Sequence, residues 1–451
     1  MKMVPGSVFL VALFFTLDVT WGVSPLEAAD LGQGCCSDLE ERVAELEAVT
    51  ARKGNRRVSL TLSGFVNEAV MFWDDGKMHN AYVVTNEDWQ DRVRMVGEAR
   101  IAPGWTAGYL VEFGVRGSHA DRVTQFDPDG QPCPNCTAVR QSVWYIQNDN
   151  LGKIWVGQTG DAADCITEIN LANTNYFSFS NAWGNIIGDG GSGFFLRRRD
   201  GVLTNLHWGQ FVAQGVGQGI PGEGHRYNVV KYESPTVAGF TLSGSWGEDD
   251  LWNVALRYSG LWSGFRMAGG IAYTQNNDQT SMARRGVGNT NEVGLSASVM
   301  HQDTGLYTSV AWGRLHDAGL NGLYGRQVNE DTEFFTIQSG IERQYFSVGK
   351  TTIFGEYFQL DRGAGFVFGP NGTSSILNVS QLGTGLDEVA SSQIRGWSVG
   401  VDQNVGEYVD LYLNYRWTQL DVITTNSAGT ASAGTKTDAF QAMLAGAVVR
   451  F

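Results

Sequence analysis

Four arginines stand on the polar side of neighbouring alternating segments: Arg92 and Arg94 in one, Arg116 after the next, and Arg140 in a third. Guanidinium groups stay charged at any physiological pH and offer only donors. A row of them does electrostatic rather than covalent work. Acidic residues follow at Asp161, Asp164, Glu168 and Asp189. Candidates for covalent or cofactor chemistry are weaker. Gly188-x-Gly190-x-x-Gly193 and Gly217-x-Gly219-x-x-Gly222 match a dinucleotide fingerprint, but neither sits in a strand–turn–helix unit, so they read as loop glycines. There is no GxSxG elbow and no HExxH. The 6 histidines are scattered, so neither a metal cluster nor a cofactor is expected. Cys133-Pro-Asn-Cys136 has half-site spacing without a second pair, which favours a local loop disulfide; the state of Cys35-Cys36 is open.

The segments that would position these arginines have period two. In 91–101, Val93, Met95, Gly97, Ala99 and Ile101 share one face and Arg92, Arg94, Val96, Glu98 and Arg100 the other. After Pro103-Gly104, Tyr109, Val111, Phe113 and Val115 alternate with Gly108, Leu110, Glu112, Gly114 and Arg116. The end of the chain, Asp438–Phe451, repeats the pattern with Met443, Ala445, Ala447, Val449 and Phe451 on one side. It is long enough to cross a bilayer as a tilted strand, which takes roughly 9–11 residues. About sixteen such segments begin near Val58, Gln90, Thr106, Ala138, Lys153, Arg226, Phe240, Leu251, Phe265, Glu292, Leu306, Thr332, Lys350, Ser392, Tyr408 and Asp438.

Alternation alone fits a soluble sandwich or a membrane barrel. Three features favour the barrel. The segments are long. Connections alternate between tight (102–105, 148–152, 234–239) and long (117–137, 275–290, 361–391). Aromatic residues recur at segment ends, as at Trp105, Phe240, Phe265 and Tyr408. Together these predict an all-β, transmembrane antiparallel β-barrel of about 16 strands. Its last strand must pair with its first, because an open edge in lipid leaves backbone groups unsatisfied. Phe451 would close it with a ring at the boundary. The 58 glycines and 9 prolines suit many strands joined by turns. A net charge of −15 argues against nucleic acid as a partner.

Ahead of the barrel, residues 1–29 read as an export signal, with Lys2 before the apolar run Val8–Leu17. Residues 30–56 hold one helix, Ser37–Lys53, opened by the capping box Ser37-x-x-Glu40. Leu39, Val43 and Leu46 are spaced as the seam of a short coiled coil or as the face of a packed amphipathic helix. Both barrel ends fall on the short-turn side, which places this helix in the periplasm. The barrel is expected over 57–451. Its longest connection, 160–225, carries Trp183, Phe194, Phe195 and Trp208, so it should pack, and a sixteen-stranded lumen has room for it to fold inward.

Three stretches carry a resemblance: CCSDLEERVAELEAVTARKGNRRVSLTLSG (35–64), VVKYESPTVAGFTLSGSWGEDDLWNVALRY (229–258) and the terminal VVRF. The chain resembles the alphaproteobacterial, rhizobial-type branch of the general bacterial porins. The resemblance implies an outer-membrane channel for passive diffusion of small hydrophilic solutes and ions, not an enzyme. It implies homotrimers, in which Leu39, Val43 and Leu46 would form the trimer coiled coil. It also implies contact with outer-membrane lipid and lipopolysaccharide, and insertion by the barrel-assembly machinery. The third loop would constrict the pore. Arg92, Arg94, Arg116 and Arg140 would then form a basic wall against Asp161, Asp164, Glu168 and Asp189, with a transverse field between them. A structural reading also stands: a barrel tethering the outer membrane to the cell wall through the periplasmic helix.

Overall fold

The computed structural model describes residues 58–130, 137–178, 193–212, 220–247, 250–277, 289–368 and 374–451. The export signal, the 37–53 helix with Leu39, Val43 and Leu46, the Cys35-Cys36 and Cys133–Cys136 pairs, and Asp189 lie outside the described residues.

Sixteen antiparallel strands form a closed barrel. They are β1 (Val58–Asp74), β2 (in two pieces, His79–Thr85 and Arg92–Ala102), β3 (Trp105–Val115), β4 (Thr137–Asn148) and β5 (Gly152–Gly160). After the long loop come β6 (Arg226–Glu233), β7 (Phe240–Gly247), β8 (Leu251–Trp262), β9 (Phe265–Asn276), β10 (Thr290–His301) and β11 (Leu306–Asp317). The rest are β12 (Asp331–Phe346), β13 (Gly349–Arg362), β14 (Glu388–Val405), β15 (Val409–Thr425) and β16 (Phe440–Arg450). Each pairs with its sequence neighbours, and β16 returns to β1 from Phe65↔Arg450 to Asp74↔Gln441. Closure ends in a reciprocal pair of bonds, Gly64 N–H to Phe451 O (2.9 Å) and Phe451 N–H to Gly64 O (3.0 Å).

The alternation resolves into a lipid side and a lumen side. On β8, Trp252, Val254 and Leu256 are exposed while Leu251, Asn253 and Ala255 are buried. Trp105, Phe240, Phe265, Tyr408 and Phe451 are exposed at the short-turn rim, where amphipathic and aromatic rings favour the membrane boundary. Several strands outrun the bilayer: β12, β14 and β15 have 16, 18 and 17 residues. Their far ends carry ion pairs such as Arg314–Asp331 (2.9 Å), Arg395–Asp421 (3.4 Å) and Lys436–Asp421 (3.4 Å).

Two features differ from the sequence reading. The second strand begins at His79, not near Gln90, and it is interrupted. Asn86–Asp91 (NEDWQD) has no alternation, leaves the ladder and buries Asp88, Trp89 and Gln90. In addition, the lumen side is not polar throughout. Phe65, Met71 and Trp73 of β1, Phe334 of β12, Phe354 and Phe358 of β13 and Phe440 of β16 point inward and are buried in one apolar cluster. An inward apolar row is stable only if something covers it, and the long loop does.

Closure sets one test. The Phe451 ring lies over Gly64, where a Cβ would stand 2.6 Å from the ring's Cζ. A charge near the lipid boundary costs only about 0–1 kcal/mol in a folded barrel. Phe451→Asp is therefore expected to leave refolding in detergent almost unchanged while lowering the amount of folded barrel recovered from outer membranes several-fold. Heat-modifiable mobility of the membrane fraction reads this directly.

Candidate functional site

The loop between β5 and β6 turns into the barrel at once. Its two limbs meet at the root, where Asp161 N–H donates to His225 O (2.9 Å) and Gly224 N–H to Ala163 O (3.1 Å). Glycine is required here by close approach. A Cβ on Gly224 would lie 2.0 Å from Asp164 N, and Gly222 (φ +79°) packs its backbone on Gly294 of β10. The two fingerprint-like glycine motifs thus end in packing positions where described: Gly193 meets the Arg122 and Val123 carbonyls, and Gly222 meets β10.

The outgoing limb, 161–178, runs around the inner wall, taking hydrogen bonds from one strand after another. Ala162 N–H donates to Ser245 Oγ and Asn253 Oδ1 (both 3.0 Å). Arg257 donates to the carbonyls of Ala162 (2.9 Å) and Asp164 (2.7 Å). Ser296 Oγ donates to Ile166 O (2.6 Å), and Leu171 N–H to Ser298 Oγ (3.1 Å). Asn170 and Thr174 both donate to Gln338 Oε1 (3.0 and 2.8 Å). At the tip, Phe177 stacks on Tyr412 (centroids 4.6 Å apart, 6° between planes), and its carbonyl accepts from Asn414 Nδ2 (2.6 Å) and from Arg416. The Tyr176 hydroxyl donates to Asp410 (2.7 Å), and Asn67 Nδ2 donates to Tyr176 O (3.3 Å).

The returning limb packs above. A small hairpin, Phe195–Arg197 with Leu203–His207, sets Phe194 against Trp73 and Phe440. Arg197 clamps Asp75 with two bonds (3.0 and 2.8 Å). Burial alone would raise the Asp75 carboxyl, but Arg197, the N–H groups of Met78 and Lys77, and Gln125 hold it below its usual value. A carboxylate so lowered stabilises the fold fully above its unfolded value and loses that contribution as pH falls, so the clamp is intact at neutral pH.

The arginines gather on the wall formed by β2–β4. Arg94 donates twice to Glu112 Oε2 (3.0 and 2.8 Å), Arg140 donates to Glu112 Oε1 (2.7 Å), and Arg92 lies 3.9 Å from the same oxygen. Arg226 of β6 adds its field. Three guanidiniums thus gather around one carboxylate. Arg92 also lies over Phe65 and Trp89, at 4.6 and 5.4 Å from their ring centres. Arg116 is held apart from this group, by Glu87 (3.0 Å) and Gln90 (3.0 Å).

The structure thus gathers Arg92, Arg94 and Arg140 around Glu112, a carboxylate that the sequence reading did not select. That reading had placed Glu112 on the same face as Arg116, and that shared face was the available signal. Asp161, Asp164 and Glu168 lie in the first turns of the loop, where the cation that meets the backbone is Arg257 of β8, also unselected. Asp161 and Glu168 are buried. Beside them Glu223 accepts from the Thr167 N–H (2.8 Å) and hydroxyl, and burial, with Cys165 and Asp164 close by, pushes its carboxyl well up.

A family model described as Gram-negative porin matches residues 43–422. No curated protein matches the sequence. Among solved structures, the chain is similar to an anion-selective porin from Comamonas acidovorans, at 15% identity over 87% of this chain and 100% of that one, with TM-score 0.52. It is also similar to OmpT, an outer membrane protein of Vibrio cholerae. The in-vitro folded form aligns at 12% identity over 90% of this chain and 100% of that one, TM-score 0.50. Its trimer form aligns at 12% identity over 88% and 100%, TM-score 0.51. At these identities the likeness is one of fold.

The tip contacts set a second test. Phe177 is fully buried, and Phe→Ala in such a site costs about 3–5 kcal/mol. The strand ladder does not run through it, so Phe177→Ala should keep the barrel and release the limb. Limited proteolysis should then cut within 161–178 at least tenfold faster than in wild type; equal rates would show that the tip does not hold the loop.

Proposed function

The chain belongs to the Gram-negative porins and is an outer-membrane channel protein, and from that premise we propose that it passes small hydrophilic solutes and ions by passive diffusion, without catalysis. The observation that carries this reading is the inward course of 161–178 across a closed sixteen-stranded barrel. The limb is bonded along β7, β8, β10, β12 and β15, and the apolar cluster is drawn mainly from β1 and β9–β16. The passage runs on the other side, along the arginines of β2–β4. There Arg92, Arg94 and Arg140 form the basic side, and Asp161, Asp164, Glu168 and Asp189 supply the opposite sign from the loop. Polar solutes and water orient in such a field, while an apolar solute loses hydration without gaining contacts.

The chain is exported by a cleaved signal and assembles as a homotrimer, with the 37–53 helix contributing a coiled-coil seam through Leu39, Val43 and Leu46. Support comes from the heptad-like spacing and from the trimer form of the Vibrio cholerae protein. Lipopolysaccharide and lipid surround the exposed apolar band, and the barrel-assembly machinery inserts it. Protein in mild detergent should have the mass of three chains; a monomer at every concentration would refute the assembly.

Reversal potentials in salt gradients test the channel. With a Debye length of ~8 Å at physiological salt, only charges lining a narrow passage act strongly on ions within it. Neutralising Asp161, Asp164 and Glu168 together should raise anion over cation permeability. Arg92→Gln with Arg140→Gln should do the reverse. An equal neutralisation of Asp361, Asp387 and Glu388, outside the 161–178 limb, should shift neither. Equal shifts from both acidic triples would show that the passage is not set by the inward loop.

A further inference from the structure

The break in β2 and the start of the loop after β3 bring three potential metal ligands together. Glu87 belongs to the interruption Asn86–Asp91, and His119 and Asp121 to the connection that follows Arg116. His119 is fixed by its backbone. It forms a parallel bridge with Thr85, and its carbonyl accepts the N–H groups of Arg122 and Val123 (both 3.1 Å). The turn so formed brings the side chains of His119 and Asp121 to one side. All three side chains are almost wholly buried, at 2%, 0% and 5% exposure.

The distances are those of donors around an ion. His119 Nδ1 stands 3.6 Å from Glu87 Oε1 and 3.5 Å from Asp121 Oδ1, and the three atoms lie within 4.8 Å of one another. A direct charge-assisted hydrogen bond would bring each pair to about 2.7–2.9 Å. Two donors each about 2.0–2.2 Å from a tetrahedral zinc ion stand roughly 3.3–3.6 Å apart. Asp121 Oδ1 is buried, accepts no hydrogen bond among the described residues, and faces the imidazole. The other Glu87 oxygen is held by Arg116 (3.0 Å), which fixes the carboxylate with Oε1 turned to the cluster.

We propose that Glu87 Oε1, His119 Nδ1 and Asp121 Oδ1 bind one divalent transition-metal ion of the zinc class, with water completing the shell. One imidazole with two carboxylates suits zinc or its borderline neighbours better than calcium, which takes six to eight oxygens. The ion joins the interrupted strand to the neighbouring loop and, through Glu87, holds Arg116. The scattered histidines gave no sign of this, because Glu87 and His119 are 32 residues apart and meet only across the break.

The test uses the full-length refolded protein with its accessible thiols alkylated, stripped with chelator and titrated with Zn²⁺ alone. Wild type should retain one equivalent through desalting. His119→Gln and Asp121→Asn should each weaken binding at least tenfold while keeping heat-modifiable barrel mobility. His316→Gln, which removes an exposed imidazole beside Asp331 (3.0 Å), should bind as wild type. No retained ion in wild type, or unchanged binding in the His119 and Asp121 variants, overturns the proposal. Should those variants fail to fold, X-ray absorption on zinc-loaded wild type decides. A nitrogen and oxygen shell with one imidazole supports the site. Sulfur in the shell would move the ion to Asp164, Cys165 and Glu223 at the loop root, and would overturn it.

Discussion

The peptide carbonyl of Phe177 is the point on which the lumen depends. It accepts hydrogen bonds from Asn414 and Arg416 on β15, while its ring lies flat on Tyr412 of the same strand. A carbonyl inside a barrel, far from bulk water, is costly unless satisfied, and a donor pair that includes a guanidinium satisfies it well. Arg416 is itself buried and meets Asp88 (3.2 Å) in the interruption of β2. One chain of contacts therefore ties the loop tip, the fifteenth strand and the break in the second strand together. Because Arg416 and Asp88 are buried, breaking the contact between them is more costly than the pair is stabilising.

From that anchor the rest of the lumen follows. With Phe177 held near β15 and β1, the outgoing limb lies along the intervening strands, of which β7, β8, β10 and β12 offer it serine, asparagine or glutamine side chains. These short polar side chains satisfy the loop backbone, as a helix or sheet would do elsewhere. The returning limb covers the apolar inward row of β1 and β12–β16. The barrel thus has a packed side and a charged side, and asymmetry of this kind, not strand number alone, decides where a solute can travel.

The charged side is organised by shared carboxylates. Glu112 holds Arg94 and Arg140 in place with Arg92 near, and Glu87 with Gln90 holds Arg116. Fixed guanidiniums present a field of defined direction, and long flexible ones would not. On the lipid side the same strands carry a band of exposed aliphatic and aromatic residues, and beyond it ion pairs mark where the wall rises into water.

How much of this was legible in the sequence follows from what alternation can report. Period two and the rhythm of short and long connections determined the barrel, its strand number and the joining of Phe451 to the first strand, because a closed sheet in lipid leaves each strand only its neighbours to pair with. The same period determined that Arg92, Arg94 and Glu112 share a face. Which side chains meet across the lumen was decided only by the tertiary structure. Glu112 and Arg94 are joined by strand register, Phe177 and Arg416 by the path of a loop, and Glu87 and His119 by a strand break in NEDWQD. A local pattern states which way a side chain points. It carries no term for what lies opposite, since that depends on how far the sheet has curved and on which segment fills the space inside.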